Sequence, residues 1–170
     1  MGHLRPVKDP FRTESAVRHL PETSQIVVTH IGSALTDGMK QRAEAMTSRN
    51  ARYEWRGELP RWKALRVLSR SRLLVLTSKM EGGANVVSEA LACGVPVISS
   101  LISGSIGMLG KDYPGYFPVG DTRALTELLM RAEDDRSFYD ALLTACRKQA
   151  WIVDPELEKQ SWRDLLGELA

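Results

Sequence analysis

The sequence predicts an α/β fold, a parallel sheet with helices on both faces, and three features carry that expectation. Residues 73–76 form an apolar run that reads as a buried strand. Glu81-Gly82-Gly83 then makes a tight turn into a helix that begins near Ala84 and stops at Gly94, and Pro96 opens a second apolar run. Strand, glycine turn, helix and strand in that order is the plan of a right-handed βαβ crossover. Residues 26–31 add another β-branched strand closed by Gly32, and helix-like and strand-like segments alternate through the rest of the chain.

In chain order, the first eleven residues are a turn-rich, basic opening that leads into a helix over about 10–20. His30 lies inside the strand 26–31, where a lone histidine reads as a packed residue rather than a ligand. Residues 37–49 make a polar surface helix, 53–56 a short strand ending at Gly57, and the turn through Glu58, Leu59 and Pro60 leads into a helix that runs to Ser69. After the strand at 97–99 comes Ser103-Gly104-Ser105-Ile106-Gly107-Met108-Leu109-Gly110, read as a glycine-spaced loop. It either closes over a ligand at the carboxyl edge of the sheet or is a flexible connector. Residues 113–119 read as a turn and short strand, Asp121 as the N-cap of a helix over 122–132. Helices follow at about 137–149 and 155–169. Trp151, Trp162, Leu165, Leu166 and Leu169 form apolar stripes at helical spacing, suited to core or interdomain packing.

The bulk composition bounds the function. With 170 residues, 43% hydrophobic and 26% charged, the chain predicts one globular domain over 1–170, with its C-terminal helices from about 137, and is too short for two full domains of this type. A formal net charge of +2 offers no electrostatic case for a nucleic-acid or acidic-membrane partner. Cys93 and Cys146 lack metal-ligand spacing, which favours free thiols in a reducing cytoplasm and predicts no metal site. No signal peptide and no membrane span is visible, so a soluble, cytoplasmic protein is expected.

The chemistry follows from the glycine turn. Gly82 and Gly83 carry no Cβ, so a ligand can approach the backbone, and the start of the following helix at Ala84 and Asn85 turns unpaired N–H groups and a positive dipole end toward it. Glu81 sits at the turn and Glu89 two helical turns further on. Carboxylates accept hydrogen bonds from hydroxyls and repel phosphate, so the pair predicts a ligand with both phosphates and sugar hydroxyls, as in a nucleotide-sugar. Ordinary solvated helix charges are the alternative reading of both glutamates.

Glu81 and Glu89 form E-x7-E, and the string from Ser78 to Val97, S-x-x-E-G-G-A-N-x-x-S-E-A-x-A-x-G-V-P-V, resembles the donor-binding signature of retaining GT-B glycosyltransferases of family 4. The resemblance implies a Rossmann-like domain, the C-terminal half of a GT-B fold with its first strand truncated. It places Glu89 near the ribose hydroxyls, Glu81 near the donor sugar, and Ser78, Gly82, Gly83, Ala84 and Asn85 in the donor site. It also assigns the basic residues of the opening turn to the donor's pyrophosphate. Lys8 fits the family spacing there, while the usual arginine position is His3 and an arginine stands instead at Arg5, so which of His3 and Arg5 touches phosphate stays open. A solvated basic loop is the alternative for all three. By the same resemblance, Glu58 and Leu59 line the base pocket.

The strings G-H-L-R-P-V-K-D-P-F-R, M-E-G-G-A-N-V-V-S-E-A and G-x-L-G-K-D-Y-P-G-Y-F-P-V-G-D further resemble one branch, the selenosugar synthases of selenoneine biosynthesis. That branch implies a UDP-sugar donor and selenophosphate as acceptor. Lys8, Arg5 and the helix start near Gly82 to Asn85 offer positive potential and no carboxylate cluster suggests a magnesium cage, so metal-independent binding with no cofactor is expected. The GT-B plan implies an N-terminal acceptor-binding domain missing from this chain. The catalytic set that the family resemblance implies is Lys8, Arg5 and Glu81, with no transfer by this chain alone. A non-catalytic nucleotide-sugar-binding module and part of a GT-B nucleotide-sugar epimerase are the alternatives.

Overall fold

A computed structural model describes residues 1–168. In chain order the elements are α1 (Arg12–Val17), β1 (Val28–His30), α2 (Asp37–Arg49), β2 (Tyr53–Trp55), α3 (Arg61–Ser69), β3 (Leu74–Leu76), α4 (Asn85–Ala92), β4 (Val97–Ser100), α5 (Ser103–Leu109), β5 (Tyr116–Phe117), α6 (Thr122–Asp134), α7 (Arg136–Gln149) and α8 (Pro155–Glu168). Single turns of 3-10 helix occupy Pro6–Lys8 and Ala150–Val153.

Every strand pair among the described residues is parallel, as the alternating pattern predicts. β1 pairs with β2, Val28 opposite Tyr53, and β4 pairs with both β3 and β5, with Leu74 opposite Val97 and Ser99 opposite Tyr116. The expected sheet is therefore divided into two ladders, β1-β2 and β3-β4-β5. A cleft of about 410 Å³ lies between them, lined by β1 on one wall and β3 on the other.

β4 is buried at every residue, which explains its unbroken apolar start, and the large core grows around it. Val97, Ile98, Phe117, Leu125, Leu129 and Leu142 are among its fully buried members. The Tyr113 hydroxyl donates to the Val97 carbonyl and accepts from the Val97 N–H, and burial pushes its pKa up. A second, small cluster gathers Leu4, Phe11 and Ala43, with Met39, Met46 and Trp55 packed on it. Both cysteines are free thiols, Cys146 buried and Cys93 half-buried.

Three expectations change. The segment read as a glycine-spaced loop is the helix α5, ended by Gly110 at φ 85. Glycine lowers helix propensity, but Gly104 and Ser105 are buried here and packing decides the outcome. The helix expected over 10–20 is shorter, Arg12–Val17, because the left-handed Asp9 at φ 44 and a further turn at Phe11 precede it. Of the two roles expected for the apolar stripes, core packing does not hold within this domain: Trp151, and Trp162, Leu165 and Leu166 of α8, are exposed, and Leu169 lies outside the described residues. No helix of the described residues is long and apolar enough to cross a membrane.

Candidate functional site

The opening turn is sewn to two strand ends. The Gly2 N–H donates to the Ile31 carbonyl and the Leu4 N–H to the Ser33 carbonyl, each at 2.8 Å. Gly32, at φ 149, passes so close that a Cβ there would stand 2.1 Å from the Gly2 carbonyl oxygen, which is why only glycine ends β1. The Gly32 N–H in turn donates to the Gly57 carbonyl at 2.8 Å, which brings the turn after β2 alongside. On the other side, the Lys79 N–H donates to the Val7 carbonyl at 2.8 Å and the Thr77 hydroxyl to the Lys8 and Asp9 carbonyls at 2.9 and 3.0 Å. Segments that follow β1, β2 and β3 thus converge on the opening turn, at the carboxyl edge where α/β folds bind ligands.

That stitching brings Lys8 to Glu81. The Lys8 ammonium donates to Glu81 Oε1, and the Ser78 hydroxyl donates to the same oxygen at 2.6 Å. Three residues named from sequence therefore meet in one ion-paired cluster, with the Glu81 side chain 11% exposed. The turn is braced from behind by α5, because a Cβ at Gly104 would lie 2.4 Å from the Glu81 carbonyl oxygen. In front it is open: Gly82 and Gly83 are exposed, and a Cβ on either would meet nothing within 4 Å. Ala84 is buried and caps α4 without a side-chain bond, so the N–H groups of the first turn at exposed Asn85 have no side-chain acceptor from their N-cap.

Glu89, about one turn into α4, faces Arg61 of α3, with Nε 3.4 Å from its Oε1. The Met1 amine also feels Glu89; burial brings its pKa down to about 6, Glu89 opposes that shift, and Lys8 adds to it. Arg5 is exposed and forms no ion pair among the described residues. His3 is fixed instead: the Ser33 N–H donates to its Nδ1 at 3.1 Å and the Ser33 hydroxyl lies 2.6 Å away, which leaves Nε2 for the ring proton. Glu58 is exposed and Leu59 half-buried on the loop after Gly57.

Arg61 and Ser33 are the members that sequence reasoning missed. Each stands just past a turn residue, Pro60 and Gly32, at the same edge as the rest, and that position is the signal available in the sequence. His30 is packed, as expected. Its Nδ1 lies 3.0 Å from the Tyr53 hydroxyl and its Nε2 3.1 Å from the Gly2 carbonyl, and burial drives its pKa down to about 4. No group of three or more His, Cys, Asp or Glu side chains among the described residues could hold a metal ion.

The geometry is that of an open glycine turn with a lysine–glutamate pair beneath it and a second glutamate along the helix. The chain belongs to the family of glycosyl transferases group 1, whose model matches residues 1–150. It is similar to the UDP-Gal:alpha-D-GlcNAc-diphosphoundecaprenol alpha-1,3-galactosyltransferase of Escherichia coli, 26% identical over 145 residues, covering 80% of this chain and 36% of that protein. It is also 28% identical over 136 residues to the putative teichuronic acid biosynthesis glycosyltransferase TuaC of Bacillus subtilis (strain 168), covering 80% of this chain and 32% of that one. Among solved structures, Anabaena Alr3699/HepE in complex with UDP superposes with a TM-score of 0.83 at 20% identity, over 98% of this chain and 48% of that chain. The chain spans about a third of the length of these curated relatives and about half of that solved chain.

Proposed function

We propose that this chain is the donor-binding domain of a retaining, family 4 glycosyltransferase, that it takes a UDP-sugar, and that its reaction belongs to the selenosugar branch with selenophosphate as acceptor. One observation carries the donor reading: Lys8, Ser78 and Glu81 meet directly behind a glycine turn that is open to solvent and starts a helix with no side-chain hydrogen bond at its N-cap. Lys8 and Arg5 are permanent cations placed for a diphosphate, and the amides at Gly83 to Asn85 add the helix's positive end. His3, held through Nδ1, offers Nε2–H to the same group. Glu81 accepts hydroxyls of the donor sugar and Glu89 those of the ribose, while Glu58 and Leu59 border the base. The branch assignment rests on the three narrower strings quoted above.

In this reading the departing phosphate takes the acceptor's proton, so leaving-group stabilisation is the donor domain's contribution. The acceptor is positioned by a second domain across a cleft. Holding both reactants in a near-attack geometry is worth about 7–11 kcal/mol of barrier, and this chain supplies one wall of it. Given UDP-sugar and selenophosphate, the chain alone is expected to release no UDP above background, and turnover comparable to a two-domain enzyme would overturn the assignment.

Titration calorimetry with UDP and a panel of UDP-sugars tests donor binding. Glu89→Gln is expected to weaken UDP and UDP-sugar equally, and Glu81→Gln to weaken UDP-sugar far more than UDP, each by about 1.5–3 kcal/mol for a charge-assisted hydrogen bond. Equal losses for both ligands at both positions would remove the division of labour. Chelating divalent ions is expected to leave the isotherms unchanged.

A further inference from the structure

β4 ends on two serines, Ser99 and Ser100, that are as completely buried as Val97 and Ile98 before them. An apolar side chain could fill either place, whereas a hydroxyl taken out of water has to find a partner. The two hydroxyls find theirs on different elements. Ser99 Oγ lies 2.7 Å from Ser105 Oγ and so fastens α5 to the strand. Ser100 Oγ donates to the Ser78 carbonyl at 2.6 Å, and among the described residues it bonds to nothing else. The β3-β4 ladder has run out by that point, since no backbone N–H of the described residues reaches the Ser78 carbonyl. A side chain of β4 therefore takes over where the ladder stops.

The other end of the same peptide unit is held as well. The Lys79 N–H, which shares a plane with the Ser78 carbonyl, donates to the Val7 carbonyl at 2.8 Å. A trans peptide group is rigid, so a bond at each end fixes its plane. Two contacts with Glu81 depend on that clamp. Ser78, held by its own carbonyl, keeps its hydroxyl 2.6 Å from Glu81 Oε1, and Lys8, next to Val7, pairs with the same oxygen.

We propose that Ser100 is a positioning residue: by clamping the Ser78–Lys79 peptide it holds Glu81 in the orientation that receives the donor sugar, and so sets how strongly the site prefers a UDP-sugar over UDP. This rests on the reading of Glu81 as the acceptor for the sugar's hydroxyls. A brace that only stabilised the fold would affect both ligands alike.

Titration calorimetry with UDP and with the tightest-binding UDP-sugar of the panel tests it, on the unmodified chain, Ser100→Ala, Glu81→Gln and the double variant. Ser100→Ala is expected to lower the ratio of UDP-sugar to UDP affinity by about three- to ten-fold, the range of one hydrogen bond. Once Glu81→Gln is present it should lower the ratio no further, because residues that act as a unit are not additive. Thr126→Val removes another buried hydroxyl, one bonded to the Ala16 carbonyl on α1, and should leave the ratio unchanged. In the ligand-free chain, Ser100→Ala is expected to speed exchange of the Lys79 amide by about ten-fold. A retained ratio, an unchanged Lys79 amide, or the same loss on top of Glu81→Gln would overturn the positioning role. An unmodified chain that bound UDP and every UDP-sugar alike, or bound none of them, would instead overturn the donor reading of Glu81, and the proposal with it.

Discussion

The two ladders are made of the same kind of parallel strand, yet they are held in different ways. Around β4 the stabilisation is apolar: every residue of the strand is buried, and Phe117, Leu125, Leu129 and Leu142 close over it. Around β1 every strand residue is half-buried, and the surrounding contacts are largely polar. Arg52 donates to the carbonyls of Ser24, Pro21 and Glu22, the Trp55 indole to that of Gly32, and Asn50 to the buried carboxylate of Glu14. A fully buried aliphatic side chain contributes about 1.5–3 kcal/mol, and a typical intramolecular hydrogen bond about 0.5–1.5 kcal/mol net. The difference teaches that the β3-β4-β5 side is a folding core, while the β1-β2 side is a docked unit whose geometry depends on partners staying paired.

The largest test of that contrast is truncation in each region. Ile98→Ala on β4 is expected to cost about 2–5 kcal/mol, and Met46→Ala in the small cluster about 1 kcal/mol, read from urea midpoints. Equal losses would erase the distinction. Acid is expected to act next, and on the β1-β2 side. His30 has a folded-state pKa of about 4 against an ordinary 6.5, so the unfolded chain binds the extra proton first. Its contribution is fully present above about pH 6.5 and is lost as pH falls toward 4, by at most about 3 kcal/mol given its partial exposure. Thermal melts across that window should show the loss, and His30→Gln should flatten it. The smallest effect is expected to ignore the contrast. Thr36 accepts from the Met39 N–H and Asp121 from the Ala124 N–H, so Thr36→Ala and Asp121→Ala should each cost about 1 kcal/mol, since a cap depends on local geometry. Unequal costs would mean that the two sides also differ in how firmly their helices are anchored.

The order and type of most elements were legible from periodicity and punctuation. Residues 37–49 and the N-cap Asp121 were readable because a polar helix face and a capping carboxylate are local signals. The helix α5 was not, because two glycines within it argue against a helix locally and the reason for one of them, the Glu81 backbone against Gly104, lies 23 residues away. The division of the sheet was equally out of reach, since strand order depends on partners far apart in sequence. At the candidate site, the pattern from Ser78 to Glu89 located the turn, but the contact of Lys8 with Glu81 depends on Thr77 and Lys79 sewing the opening turn down. Arg61 is marked only by its place just past Pro60, and nothing local ties it to Glu89, 28 residues further on.

The close passage of Gly104 over the Glu81 backbone has a further consequence for affinity. A mobile turn would surrender conformational freedom when a ligand arrived, and that loss would be subtracted from binding. Here the Glu81 backbone rests on α5 and its side chain is tied by Lys8 and Ser78, so much of the ordering has been done during folding. What is left to organise is the short run from Gly82 to Asn85. Any side chain at position 104 would lift the turn off its support, so its effect should be felt as a faster ligand off-rate rather than as a missing contact.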